Sequence, residues 1–321
     1  MKAIPYLLTC LLLTAAPAAS AQEFVWAADA EGGAPYSFPD PQNPAQIIGF
    51  EVDLAKAVAA RMGRTARFVQ NQWDGLVPGL ERGEYDAVIN GLEITPERSE
   101  RIHFSTPYFY STLTLTTRFD DTRIQRAEDL PGHIAGTLKV TFAEKYLQSL
   151  GGVTVRSYEG QVNPYVDLTL GRLDAVVMDT PVALYYATGP QVKNRELTSA
   201  RMSFGIGLRK NDDELLRQVN IALESLRQDG ALRKIYTDWG IYNSVTAQAF
   251  GDRDPINIEN APRYRDYLDS IHAERTVKER LNQYWNYVPL LLRGALVTIE
   301  ISTASMAIAI GLGLLLAVLR V

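Results

Sequence analysis

Arg98 stands in the setting best suited to hold an anion. Thr95-Pro96-Glu97-Arg98 reads as a helix start: a hydroxyl to cap it, proline at the first helical position, and free backbone N–H groups. Such an end attracts negative charge, and a guanidinium can fork two bonds onto one carboxylate. The plainer reading is a surface ion pair with Glu97 or Glu100, which spacing alone favours. The complement, an acid for an ammonium group, is offered by Asp179, at the end of the apolar run "VVMD". Open α/β sheets present ligand-binding groups at such strand ends; the alternative is a turn aspartate before Thr180-Pro181. Asp29 ends the first apolar run in the same way. Trp73, in "QNQWDGL", is either a plate for stacking an aliphatic or cationic group or an ordinary half-buried ring. Tyr36 and Phe38 read as core or cleft rim.

The pattern lacks groups for catalysis. His103, His133 and His272 are scattered without metal-ligand spacing, so no metal site is expected. Neither a G-x-S-x-G elbow nor a P-loop occurs, and the chain is expected to be neither an enzyme nor a cofactor carrier. Cys10 is the only cysteine and falls in the first segment, leaving the rest without thiol or disulfide chemistry. A formal net charge of −5 with no basic stripe argues against a nucleic-acid partner.

The elements that would position these residues alternate in the manner of an α/β fold. "EFVWAAD" reads as a buried strand, and "GFEVDLAKAVAARMG" as a helix with Phe50, Leu54, Val58 and Met62 four apart and Gly63 past its end. "LVPGLERGEYDAVING" and "VDLTLGRLDAVVMD" repeat one plan, a helical stretch closed by glycine and followed by an apolar strand. "LTLTTRF" and "MSFGIGLRK" are extended segments suited to carry the chain between two lobes and back. A long helical stretch, residues 211–240, closes the body.

The two ends differ in kind from this body. Residues 1–21 read as a secretory signal: Lys2, an apolar stretch from Tyr6 to Ala16, and the small residues Ala19-Ser20-Ala21. Residues 245–286 carry little apolar periodicity and read as a linker and juxtamembrane segment, with Tyr284, Trp285 and Tyr287 placed for an interfacial belt. Residues 301–319 carry no charge, enough at about 1.5 Å per residue to cross roughly 30 Å of hydrocarbon. The span would run outside to inside, with Arg320 on the positive side, and reads as the first piece of a longer membrane protein.

The segments "APYSF", "GFEVDLAKAVAARMG", "WDGLVPGLERGEYDAVINGLEITPERSERIHFSTPY", "GRLDAVVMDTPVALYY" and "LRKIYTDWG" together resemble the type II periplasmic binding proteins for polar amino acids. Residues 287–321 resemble the first span of the ABC permeases that work with them. The resemblance implies a two-lobed α/β domain over residues 22–244, lobe one from about 22–114 and 206–244 and lobe two from about 115–205. It implies that Arg98 holds a ligand α-carboxylate, Asp179 and Asp29 its amine, and Trp73 its side chain, with Gly91, Glu93 and Leu138 also lining the site. It further implies a partner ATPase on a separate subunit, a homodimer joined through the permease, and a place in the inner membrane with the binding domain outside. A membrane sensor or channel and, on the same fold, a periplasmic dehydratase are the alternatives. One residue departs from the family pattern: Glu93 stands where a serine or threonine is usual. Beside a bound carboxylate its charge would cost on the order of 4 kcal/mol at about 4 Å and an effective dielectric of 20. Glu93 must therefore turn away, pair with Arg98, or meet a cationic ligand. With Asp29, Asp179 and Glu31 it tilts the expectation toward a basic or zwitterionic solute.

Overall fold

The computed structural model describes residues 22–31, 33–252, 261–272 and 277–319, so the leader read over residues 1–21 and the charge of Arg320 lie outside the described residues. Two five-stranded sheets organise the body. The first begins with β1 (Glu23–Ala28), where Phe24, Trp26, Ala27 and Ala28 are all buried, as befits a parallel strand covered on both faces. A hairpin of β2 (Phe38–Pro39) and β3 (Ile47–Ile48) leads to α1 (Phe50–Arg61). Phe50, Leu54 and Val58 are fully buried on one stripe of α1, and Gly63 turns left-handed just past its end. Next come β4 (Thr65–Gln70), α2 (Leu76–Arg82), β5 (Ala87–Val88), α3 (Pro96–Arg101) and β6 (His103–Phe104).

The chain crosses to the second sheet on β7 (Phe109–Arg118). That sheet is completed by β8 (Ile134–Leu138), α4 (Phe142–Ser149), β9 (Thr154–Tyr158), α5 (Val162–Thr169), β10 (Ala175–Asp179), α6 (Thr180–Tyr186) and β11 (Val192–Phe204). β11 runs antiparallel along β7 from Val192 opposite Arg118 to Phe204 opposite Phe109, and delivers the chain back to β12 (Gly207–Leu208) in the first sheet. The strand orders are β4-β1-β5-β12-β6 and β11-β7-β10-β8-β9. The segments expected to cross between lobes therefore fall on β7 and on β11 with β12. Where the pair enters the first sheet it is locked by rings: Phe109 stacks on Phe204 at 5.9 Å and meets Tyr236 edge-on at 5.1 Å.

The repeated plan in the sequence has a counterpart in each sheet. Asp86, just before β5, accepts from the Val25 N–H at 3.0 Å; Asp174, just before β10, accepts from the Ile134 N–H at 3.0 Å. Each acid thus pins the start of the parallel neighbour strand, and each meets an arginine, Arg209 and Arg123 respectively.

The body closes with α7 (Asp213–Gln228) and α8 (Ala231–Asp238). Beyond them, within the stretch read as a linker and juxtamembrane segment, lie helices that pack on the body. α9 (Ser244–Phe250) seats Thr246 on β7, its Oγ1 donating to the Tyr110 carbonyl at 2.7 Å. α10 (Pro262–His272) lays Tyr264 and Tyr267 against Tyr185 at 5.0 and 4.8 Å. Two tyrosines a single helical turn apart are too short an apolar signal to read as periodicity. α11 (Val277–Leu319) follows, and its residues 287–319 form a helix long and apolar enough to cross a membrane.

Candidate functional site

The ends of β1, β5, β8 and β10 converge on one cavity between the sheets, lined by Asp29, Gly33, Tyr36, Trp73, Asn90, Gly91, Glu93, Leu138, Thr141, Glu159, Gln161 and Asp179. Six of the seven residues singled out in the sequence are therefore brought together; Arg98 stands directly behind Glu93. The sheets are drawn close, leaving a free volume of about 40 Å³. A wider open groove of about 470 Å³ lies on the far side of Glu93, beside α9, with Tyr110, Met202 and Gln248 on its walls.

On the first-sheet side, Asp29 is tied into its own loop. Its carboxylate accepts from the N–H groups of Glu31 and Trp73, both at 3.0 Å, and from Gln70 Nε2 at 3.2 Å. Glu31, weighed among the cleft acids, is exposed and is not among the residues lining this cavity; Glu159 of the other sheet is, its carboxylate paired with Lys139 at 2.5 Å. Gly91 has φ +56°, and a Cβ there would sit 2.9 Å from the Tyr36 ring, so the site requires glycine. Its N–H donates at 2.6 Å to Oε1 of Glu51, a fully buried acid that also takes the Tyr108 hydroxyl. Burial pushes the Glu51 carboxyl up to about 8, against the pull of those two bonds.

α3 begins as expected, with Thr95 Oγ1 accepting the Arg98 N–H at 3.2 Å and proline in the first turn. The Arg98 side chain is not in a surface pair with Glu97 or Glu100. Its Nη1 bonds the Glu93 carbonyl at 3.1 Å and the Glu93 Oε2, its Nη2 bonds the Val140 carbonyl at 3.0 Å, and its guanidinium lies 5.2 Å from the Trp73 ring centroid. Of the three fates open to Glu93, the pair with Arg98 is the one observed. Glu93 is 6% exposed, and its Oε1 accepts the Phe142 N–H at 3.0 Å, the first of α4 on the opposite sheet. Val140 holds φ +58°, a costly conformation for a β-branched residue, and in it turns its carbonyl to Arg98.

On the second-sheet side, Asp179 is the N-cap residue of α6 and receives the Tyr36 hydroxyl. Burial raises its carboxyl to about 6, partly offset by that bond, with the charge of Glu93 adding to the rise. The same surroundings push the Tyr36 phenol well above its usual range, so it stays a donor. Other ties join the sheets: the Ala34 N–H donates to the Tyr186 hydroxyl at 2.8 Å, and Lys139 meets Asp74 at 3.1 Å.

Sequence reasoning missed Tyr36 as a polar contact, because an aromatic in "APYSF" carries no mark of a partner 143 residues away. It also missed Gln161, buried with its Oε1 unpartnered in the cavity lining, for which no sequence signal exists.

Comparison with known proteins follows the same outline. The pattern of the bacterial extracellular solute-binding proteins, family 3, matches residues 27–241. The chain is 35% identical over 201 residues to ABC transporter arginine-binding protein 1 of Escherichia coli K12, covering 60% of this chain and 82% of that protein. It is 33% identical over 209 residues to the L-cystine-binding protein TcyJ of the same organism, covering 64% and 78%. A solved structure of an ancestral arginine-binding protein bound to arginine superposes with a TM-score of 0.63 at 32% identity, covering 68% of this chain and 99% of that one.

Proposed function

From the premise that this chain belongs to the bacterial extracellular solute-binding proteins of family 3, we propose that it captures a small amine-bearing solute of the amino-acid class outside the cytoplasm. It hands that solute to an ABC importer whose permease begins with α11 of this same chain. The observation that carries the reading is the cavity itself, lined by Asp29 of one sheet and Asp179 of the other, beside Glu93 and Glu159, which are paired with Arg98 and Lys139. A solute with a positive nitrogen relieves the repulsion between the two aspartates only when the sheets close on it. The relatives named for arginine and cystine fit such a solute.

In this reading lobe one spans about residues 22–114 and 206–244, lobe two about 115–205, and β7 and β11 bend as the hinge. A micromolar dissociation constant needs about 8 kcal/mol, which a few charge-assisted hydrogen bonds at roughly 1.5–3 kcal/mol each can supply. The exposed apolar length of residues 287–319 supports a place in the inner membrane, the binding domain on its outer side. Tethering the loaded domain to its own permease raises its concentration at the gate. The ATPase is a separate subunit, and the assembly is a homodimer through the permease.

A thermal-shift screen of the chain against the common amino acids and their amine derivatives tests the reading. Stabilisation by one chemical class, lost in Asp179→Ala, is expected. No stabilisation by any of them would overturn it.

A further inference from the structure

Two groups near the cleft are suited to grip a solute's carboxylate: the Arg98 guanidinium and the N–H of Phe142 that opens α4. Both are already held by Glu93, the first through Oε2 and the second through Oε1 at 3.0 Å. The remaining guanidinium contacts are the Glu93 and Val140 carbonyls and the face of Trp73. A side chain that is 6% exposed and bonded to both sheets is a built part of the closed cleft.

What faces the cavity is acid. Among the described residues lining it are Asp29, Glu93, Glu159 and Asp179; Glu93 is paired with Arg98, and Glu159, whose side chain is 81% exposed, with Lys139 at 2.5 Å, so the acid that a guest meets is that of Asp29 and Asp179. A second carboxylate entering there would meet like charge at short range in a site with little water to screen it. A separate observation points to the opposite kind of guest. Gln161 is 8% exposed, lines the cavity, and keeps its Oε1 buried without a hydrogen-bond partner. Leaving such an acceptor unpaired is costly, and an N–H donor on the solute would satisfy it.

We propose that Glu93 is a built-in stand-in for the solute's carboxylate, and that the cleft selects a small organic cation bearing N–H donors and no free carboxylate. A primary amine or a guanidine is the class that fits. This rests on the solute-capture reading above and narrows it to amines derived from amino acids by decarboxylation or by masking of the carboxylate.

The test is calorimetric titration of the full chain in detergent micelles with two matched pairs of probes, agmatine against L-arginine and cadaverine against L-lysine. In the wild type at least one decarboxylated probe is expected to bind ten-fold or more tightly than its parent amino acid. Glu93→Ser, which vacates Arg98 and the Phe142 N–H, is expected to shift that ratio toward the amino acid by ten-fold or more. Should the serine variant fail to fold, Glu93→Gln keeps the shape, removes the charge and must move the ratio in the same direction. A wild type that binds either amino acid as tightly as its decarboxylated partner overturns the inference while leaving solute capture intact. Binding of none of the four probes also overturns it, and the broader thermal-shift screen then shows whether capture of another solute survives.

Discussion

The Tyr36 hydroxyl, from the loop after β1, donates to the Asp179 carboxylate at the end of β10, joining the two sheets through the floor of the cleft. The bond holds a tyrosine that cannot ionise against an acid whose carboxyl is raised to about 6 from a usual 3.8. Below pH 6 Asp179 is neutral and offers a cation little. As pH rises through 6 it ionises, and its attraction for a positive nitrogen grows. Affinity for a guanidinium or ammonium probe should therefore climb about ten-fold between pH 5 and 7 and level off above. Titration calorimetry across that range checks it, and in Asp179→Asn the rise should vanish. A flat wild-type profile would remove Asp179 from the site.

Glu51 gives a pH dependence of stability with the opposite consequence. Its carboxyl is raised from 4.5 to about 8, so the folded chain keeps a proton that the unfolded chain releases. The stability tied to that proton is fully present below pH 4.5, falls as pH rises, and is lost by about pH 8, at no more than about 1.4 kcal/mol per pH unit. Glu51→Gln keeps an oxygen for the Gly91 N–H and the Tyr108 hydroxyl but has no proton to lose. Thermal unfolding from pH 5 to 8 should show the wild type losing more than the variant. Parallel curves would mean that Glu51 is ionised in the fold.

These two acids show how far the sequence could be read. Asp179 was legible because it ends an apolar run, and strand ends are where an open sheet presents its groups. Glu51 was not, since one acid on the first turn of α1 looks like any helix-start carboxylate until Tyr108 is seen folded onto it. The repeat was legible as a pattern, but the work it does, Asp86 and Asp174 each pinning a neighbouring strand, depends on pairings 61 and 40 residues apart. Glu93 stood out as an oddity in its segment, and its pairing with Arg98 was among the readings open to it; its second partner, the Phe142 N–H, has no signature in residue type.

Trp73 offers a narrower test. Its ring carries the Arg98 guanidinium at 5.2 Å and also lines the cavity. Cation–π contacts contribute about 0.5–2 kcal/mol depending on exposure. Trp73→Ala should weaken solute binding by roughly 2- to 30-fold, while Trp73→Phe, which keeps a ring face, should lose less. Equal losses in the two variants would show that the indole serves by shape alone.

The last prediction concerns the stretch that reads as a linker. Tyr267 of α10 meets Tyr185 at 4.8 Å and Phe38 edge-on at 5.9 Å, while the Tyr264 hydroxyl donates to the Leu184 carbonyl at 3.1 Å. Phe38 belongs to the first sheet's side and Leu184 and Tyr185 to α6 on the second, so α10 bears on both. Removing a half-buried ring from such a cluster forfeits its buried area and its edge contacts, about 2–4 kcal/mol. Tyr267→Ala should lower the unfolding free energy by that amount in urea, and Tyr267→Phe, whose ring contacts survive, should lose little. A linker loosely draped on the body would give no measurable change for either. Because α10 lies between the body and the helix at residues 287–319, a loss of the expected size would mean that the segment leading to that helix is part of the folded body.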